Sequence, residues 1–263
     1  MKLADYPLQE ALSEAGAAYG AECWKRSAGI AYDEIGYGAD VYQRLAIFRP
    51  ARPDGRVLLF WHGGGWTSGY KEWMGFMAPA FTESAITFIS AGYRLAPAHV
   101  FPVGLEDCRS ALAWVRKEIS AEVFLGGHSA GGHYAALLAA DQGANTVRGC
   151  LTISGVYEFG EGSGLSARPR FLGEDPAADR LASPCHRLRP PLPPFLLAYG
   201  SKDFPHLIGQ GRRFAAAVRN VSGIAVELQL TERTHFTASY AGGESSGPWV
   251  PAALQFMSKN HVR

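Results

Sequence analysis

The stretch Val123–Ala140 constrains the chain more than any other. An apolar run ends in Gly127-His128-Ser129-Ala130-Gly131, and small and apolar helix formers follow it. A G-x-S-x-G held between a strand and a helix describes a sharp turn. Such a turn lifts a serine hydroxyl out at the carboxyl edge of a sheet, beside a helix N-terminus that favours negative charge. Its glycines permit the backbone crowding. The bare pattern is weak, because Gly243-Glu244-Ser245-Ser246-Gly247 matches it too. That copy has no strand leading in and runs into Pro248-Trp249, so Ser245 is read as surface loop and Ser129 as the candidate nucleophile.

The surrounding pattern agrees with this turn. Short apolar runs at Arg56–Trp61, Ile86–Ser90, Val123–Gly126, Cys150–Ser154, Phe195–Tyr199 and Ala225–Leu230 alternate with helical segments. Several are apolar throughout, as strands of a parallel sheet covered on both faces should be. Leu105, Cys108, Leu112, Val115 and Ile119 recur at helical spacing, and Gly211–Asn220 and Val250–Asn260 also read as helices. The fold expected is α/β: a mostly parallel central sheet with helices on both faces. Ile30–Ile35 and Tyr42–Phe48 are expected to form an antiparallel hairpin at its edge. A hydrophobic share of 47% against 19% charged supplies the core, and one domain over residues 1–263 accounts for the length.

Gly155–Pro194 breaks the rhythm with about 40 residues rich in Gly, Pro and Arg, longer than an idle connection inside a compact domain. Two readings stay open: a lid over the site, or a packed helix with a proline-rich loop away from substrate.

Composition excludes several classes of partner. Lys plus Arg number 25 and Asp plus Glu 24, which leaves no electrostatic footprint for nucleic acid or an anionic membrane. No apolar run is long enough to span a bilayer. Met1–Gly20 carries Asp5, Glu10 and Glu14 and does not read as a secretory leader, so a cytoplasmic location is expected. Cys23, Cys108, Cys150 and Cys185 lie far apart and are read as reduced. HExxH is absent and the histidines are scattered, so neither metal nor cofactor is expected. A small molecule is the expected partner, and a homodimer is compatible with the sequence.

Three further elements complete a chemistry around Ser129. His62-Gly63-Gly64-Gly65-Trp66 directly follows the Val57–Trp61 run. Attack on a carbonyl creates an oxyanion that needs fixed backbone N–H donors, and glycines keep side chains out of the way. The N–H of Ala130, after the nucleophile, is a further donor. A serine hydroxyl also needs a base and the base an orienter, in the chain order serine, acid, histidine. Of His133, His186, His206, His235 and His261, only His235 follows the last strand, and it is taken as the base. Asp203 sits just past the Phe195–Tyr199 strand and is taken as the acid, ahead of Glu227 and Glu232. His206 is read as loop or pocket wall. Aromatics cluster near these motifs; Trp66 and Phe236 flank them directly and are taken as substrate-binding walls, while most others are expected to be core.

His62–Trp66, Gly127–Gly131, Asp203 and His235 together resemble the α/β-hydrolase superfamily, from about residue 40 onward. The similarity is to esterases of the H-G-G-G type, related to hormone-sensitive lipase and small feruloyl-type esterases, and to the kynurenine formamidase (arylformamidase) group. Gly92-Tyr93-Arg94-Leu95-Ala96-Pro97 is similar to the esterase branch, although Gly92 and Ala98 depart from its usual Asp and Glu. The resemblance implies oxyanion donors at Gly64, Gly65 and Ala130. It implies a serine hydrolase of small or short-acyl esters, with an N-formyl amide hydrolase as the alternative. A catalytically dead binding module is disfavoured because no member of the constellation is missing.

Overall fold

The computed structural model describes residues 3–261. Helix α1 (Glu14–Ser27) comes first, and then β1 (Asp33–Gly36), β2 (Arg44–Phe48) and β3 (Val57–Trp61). The short α2 (Ala78–Thr82) leads to β4 (Thr87–Ala91) and α3 (Val103–Glu118). Next come β5 (Val123–His128), α4 (Ala130–Gln142) and β6 (Gly149–Ile153). Beyond the long connection with its short α5 (Ala177–Ala182) lie β7 (Phe195–Lys202), α6 (Pro205–Asn220), β8 (Ala225–Thr234), α7 (His235–Tyr240) and α8 (Trp249–Lys259).

The strands form one sheet in the order β1-β2-β4-β3-β5-β6-β7-β8. β1 pairs antiparallel with β2, and β2 with β4; every other pairing is parallel. The expected edge hairpin and parallel body are both present. β3 is buried along its whole length. Val57, Leu59 and Trp61 face a core built with α3, α4 and α6, while Leu58 and Phe60 face a second core with α1, α2 and α8. Each large side chain so buried contributes about 1.5–3 kcal/mol, which is why these strands read as continuous apolar runs. α4 is buried from Ala130 to Ala140, as a helix apolar all round must be.

Three differences from the sequence reading matter for the site. α1 was not anticipated. Its buried stripe is Gly16, Tyr19, Gly20 and Cys23, and half of that stripe is glycine, which carries no apolar signal. A Cβ on Gly20 would come within 2.6 Å of the Trp73 ring, so the small residue lets the helix lie close. α6 begins at Pro205, where proline suits a first helical turn, so His206 lies on that helix and not in a loop. Gly155–Pro194 does not divide along the two readings: α5 packs Ala178 and Ala182 into the core, while Ser166, Ala167, Arg170 and Phe171 line the cleft described below.

Among the described residues no helix is long and apolar enough to cross a membrane. The four cysteines are free, three of them buried.

Candidate active site

The turn between β5 and α4 sets Ser129 at φ 53 and ψ −118, a conformation that costs a non-glycine residue energy. Its neighbours make room. A Cβ on Gly127 would sit 2.2 Å from the backbone of Gly131, and one on Gly131 would sit 2.1 Å from the Trp61 carbonyl oxygen. Both glycines of the motif are therefore required by contact with backbone.

His235 is the first residue of α7, directly after β8. Thr234 caps that helix, exchanging hydrogen bonds with Thr237, and so fixes where the ring emerges. The His235 Nε2 lies 2.9 Å from Ser129 Oγ, and its Nδ1 lies 2.9 Å from Asp203 Oδ1. A carboxylate only accepts, so Nδ1–H donates to Asp203 and the bare Nε2 accepts the serine proton. Asp203 stands at the end of β7 and is buried. Burial alone would raise its pKa. The His235 ring, the Ser154 hydroxyl and the Phe204 N–H at 2.7 Å outweigh that and hold it below the usual carboxylate value.

Ser154, at the end of β6, was not identified from sequence; its hydroxyl donates to Asp203 Oδ2. Nor was the part played by His128. Its Nε2–H donates to the backbone carbonyl of His235 at 2.9 Å, and its Nδ1 accepts from the Tyr19 hydroxyl at 3.1 Å. Burial pushes the His128 pKa down to about 3, so the ring stays neutral and braces the segment carrying His235.

The glycine loop follows β3. Gly64 has φ 124, and a Cβ there would lie 1.9 Å from the Ser68 carbonyl oxygen; Gly65 has φ 61 with open space around it. Both line the cleft beside Ser129. Among the described residues no acceptor takes the N–H of Gly64, Gly65 or Ala130. His62 braces the loop: its Nδ1–H donates to the Gly63 carbonyl at 2.7 Å and its ring stacks on Tyr93 at 4.5 Å. Gln9 clamps the other end, pairing with both N–H and C=O of Gly69.

The cleft has a volume of about 400 Å³. Trp66 and Phe236 line it as expected from sequence, with Trp73 and Phe204; Tyr19 and Phe171 were not foreseen. Trp66 stacks on Phe171 at 4.3 Å, and its indole N–H donates to His133 Nδ1 at 3.0 Å. One wall is residues 11–13 with α1, and another is Ser166–Phe171. Arg170 of the second wall pairs with Glu10, just ahead of the first. Tyr157 and Phe159 lie in the core. His206 stacks on Phe204 and is not among the lining residues. Ser245 lies in an exposed turn. Among the described residues no cluster of His, Cys, Asp and Glu is arranged to hold a metal ion.

A parallel sheet with a strained serine turn at its carboxyl edge, followed in the chain by an acid and then a histidine, defines the α/β-hydrolase architecture. The chain belongs to the alpha/beta hydrolase fold family, whose model matches residues 58–237. It is 30% identical to the esterase LipC of Mycobacterium tuberculosis over 261 residues, covering 86% of this chain and 64% of that protein. The chain thus spans just under two thirds of that relative's length. It is 25% identical to a kynurenine formamidase of Salmo salar, covering 81% of this chain and 78% of that one. Its fold matches EstE1, a thermostable carboxylesterase cloned from a metagenomic library, with a TM-score of 0.76 at 20% identity over 97% of this chain and all of the other.

Proposed function

We propose that the protein is a serine carboxylic-ester hydrolase acting on small, short-acyl esters. The observation that carries this reading is the unbroken hydrogen-bonded chain Ser129–His235–Asp203, 2.9 Å at each step, opening on an aromatic cleft.

In the first half-reaction Ser129 Oγ bonds to the ester carbonyl carbon while its proton passes to His235 Nε2. The carbonyl electron pair moves onto oxygen, where the N–H groups of Gly64, Gly65 and Ala130 receive it. Collapse of the tetrahedral species expels the alkoxide, which takes the proton from His235. Water then repeats the sequence on the acyl-enzyme and regenerates Ser129. Asp203 holds the imidazole in the tautomer that accepts at Nε2 and stabilises the cation formed on the way. The esterase names among relatives support the ester bond as target. The cytoplasmic location expected from the sequence belongs to the same proposal.

The aromatic walls and the formamidase relative favour one second reading: hydrolysis of an N-formyl aryl amide by the same residues. The chemistry separates the two at the leaving group, since an arylamine must be protonated as it departs and a phenolate need not be. The test is kcat/KM for p-nitrophenyl esters of increasing acyl length beside N-formylkynurenine. Acetyl to butyryl esters should be turned over best, with a steep fall by about eight carbons because a long chain needs an extended apolar channel. Preference for long-chain esters would overturn the small-substrate reading. Formylkynurenine turnover far above any ester would make the second reading the function.

A further inference from the structure

A second cavity lies away from Ser129. It has a volume of about 750 Å³ and lies at the opposite end of α4, roughly 18 Å along the helix axis from the serine. Its floor is Asp141 and the turn Gly143–Asn145. Its walls are Arg109 from α3, Arg180 from α5, and Arg187 and Arg189 from the connection that follows. No Phe, Tyr or Trp is among its lining residues, and His186 is its one ring-bearing side chain besides proline, so it is built for a different chemistry from the aromatic cleft.

Four guanidinium groups face one carboxylate there. Asp141 is gripped by Arg109 at 2.7 Å and by Arg187 at 2.8 Å. These two arginines have a structural reason to be present. Asp141 stands in the last turn of α4, where the carbonyl end of the helix disfavours a negative charge, and cations offset both. Arg180 and Arg189 have no such reason. Both are exposed, and among the described residues neither meets a carboxylate or another acceptor. The cavity therefore carries an excess of three positive charges in a chain whose net charge is only +1. Guanidinium groups present paired N–H donors matched to phosphate oxygens, and converging like charges are relieved when an anion enters.

We propose that this cavity is a binding site for a small polyanion of the pyrophosphate class, held by Arg180 and Arg189 against the Arg109–Asp141–Arg187 floor. Charge favours more than one anionic group: four arginines against the single Asp141 carboxylate leave an excess that one singly charged anion would not offset. The site is separate from the cleft and does not depend on the reaction proposed there.

The probe is inorganic pyrophosphate, titrated calorimetrically into the whole protein at about 50 mM NaCl, where screening is modest. Binding should be saturable, with a dissociation constant below about 1 mM. The double variant Arg180→Gln/Arg189→Gln should weaken it by about tenfold or more, the loss of two charge-assisted contacts. Both side chains are exposed and unpaired, so the variant should keep the parent's melting temperature. Pretreatment with a phosphonate that blocks Ser129 should leave binding unchanged. Absence of saturable binding, equal affinity in the double variant, or competition by the phosphonate would each overturn the proposal.

Discussion

Ser154 donates its hydroxyl to the carboxylate oxygen of Asp203 that His235 leaves free. Asp203 is thereby held from both sides, with the Phe204 N–H on the oxygen it shares with His235. Asp203 is anchored by the ends of two adjacent strands, β6 and β7, which fixes the plane of its carboxylate.

Ser154→Ala should therefore lower kcat while leaving KM nearly unchanged. A hydrogen bond to a charged group is worth about 1.5–3 kcal/mol, so a fall of about tenfold is expected if most of it is felt in the transition state. Asp203→Asn should cost more, because an amide permits the wrong imidazole tautomer. Steady-state kinetics of the two folded variants side by side checks the order.

Ser129→Ala should abolish ester turnover and Ser245→Ala should leave it intact. The serines share a sequence pattern, but only Ser129 meets a histidine. Mass spectrometry after reaction with an organophosphate should place the adduct on Ser129; an adduct confined to Ser245 would reverse the assignment.

The glycine loop offers a contrast between neighbours. Gly64→Ala would drive a methyl group to 1.9 Å from the Ser68 carbonyl oxygen, so the loop must move and activity should be lost. Gly65→Ala meets open space and has only its left-handed backbone to bear, at about 1 kcal/mol. Melting temperatures and kcat of the two variants should separate clearly.

Stability should fall as the pH drops from about 6.5 to about 4. Burial pushes the pKa of His62 and His133 down to about 4 and that of His128 to about 3. In the unfolded chain these rings take up protons near pH 6.5, whereas in the folded protein they remain neutral. Unfolding thus binds protons as pH drops from about 6.5 to about 4, at up to about 4 kcal/mol per pH unit for three groups. Asp203 acts in a lower window: its folded pKa is depressed, so its contribution is present above about pH 4 and lost below that. Denaturant titrations from pH 7 to 4 should show the slope. His133→Gln can still accept from Trp66 and donate to the Ala182 carbonyl, and should reduce the slope by about a third.

The legible parts of this molecule are those written in contiguous residues. β3 to β7 announce themselves as apolar runs because helices cover both faces of the sheet, whereas β8 at the edge buries only Leu230 and shows a shorter apolar pattern. Ser129 announces itself because a strand, a glycine-flanked turn and a helix are consecutive in the chain. Asp203 and His235 could be singled out because each follows a strand whose carboxyl end shares an edge with β5. Ser154 also follows a strand, but a serine there looks like any other, and its meaning depends on which oxygen of Asp203 lies beside it. Tyr19 and Gln9 were opaque for a related reason. They act on His128 and Gly69 from far away in the chain, Tyr19 through a helix whose buried stripe is half glycine and Gln9 through the irregular segment ahead of it. His206 was misplaced by its proximity to Asp203; the helix-starting Pro205 beside it was the stronger signal.

The pairing of Arg170 with Glu10 ties one wall of the cleft to the segment leading into the other, and both side chains are partly solvent-exposed. An entrance fastened by ions is governed by the medium in a way that one fastened by apolar packing is not. Dissolved salt weakens such an exposed pair and leaves the buried Ser129–His235–Asp203 chain largely untouched. At raised ionic strength the contact between these two segments should loosen, so that rates for a neutral ester compared at low and high salt would report on the doorway and not on the reaction centre.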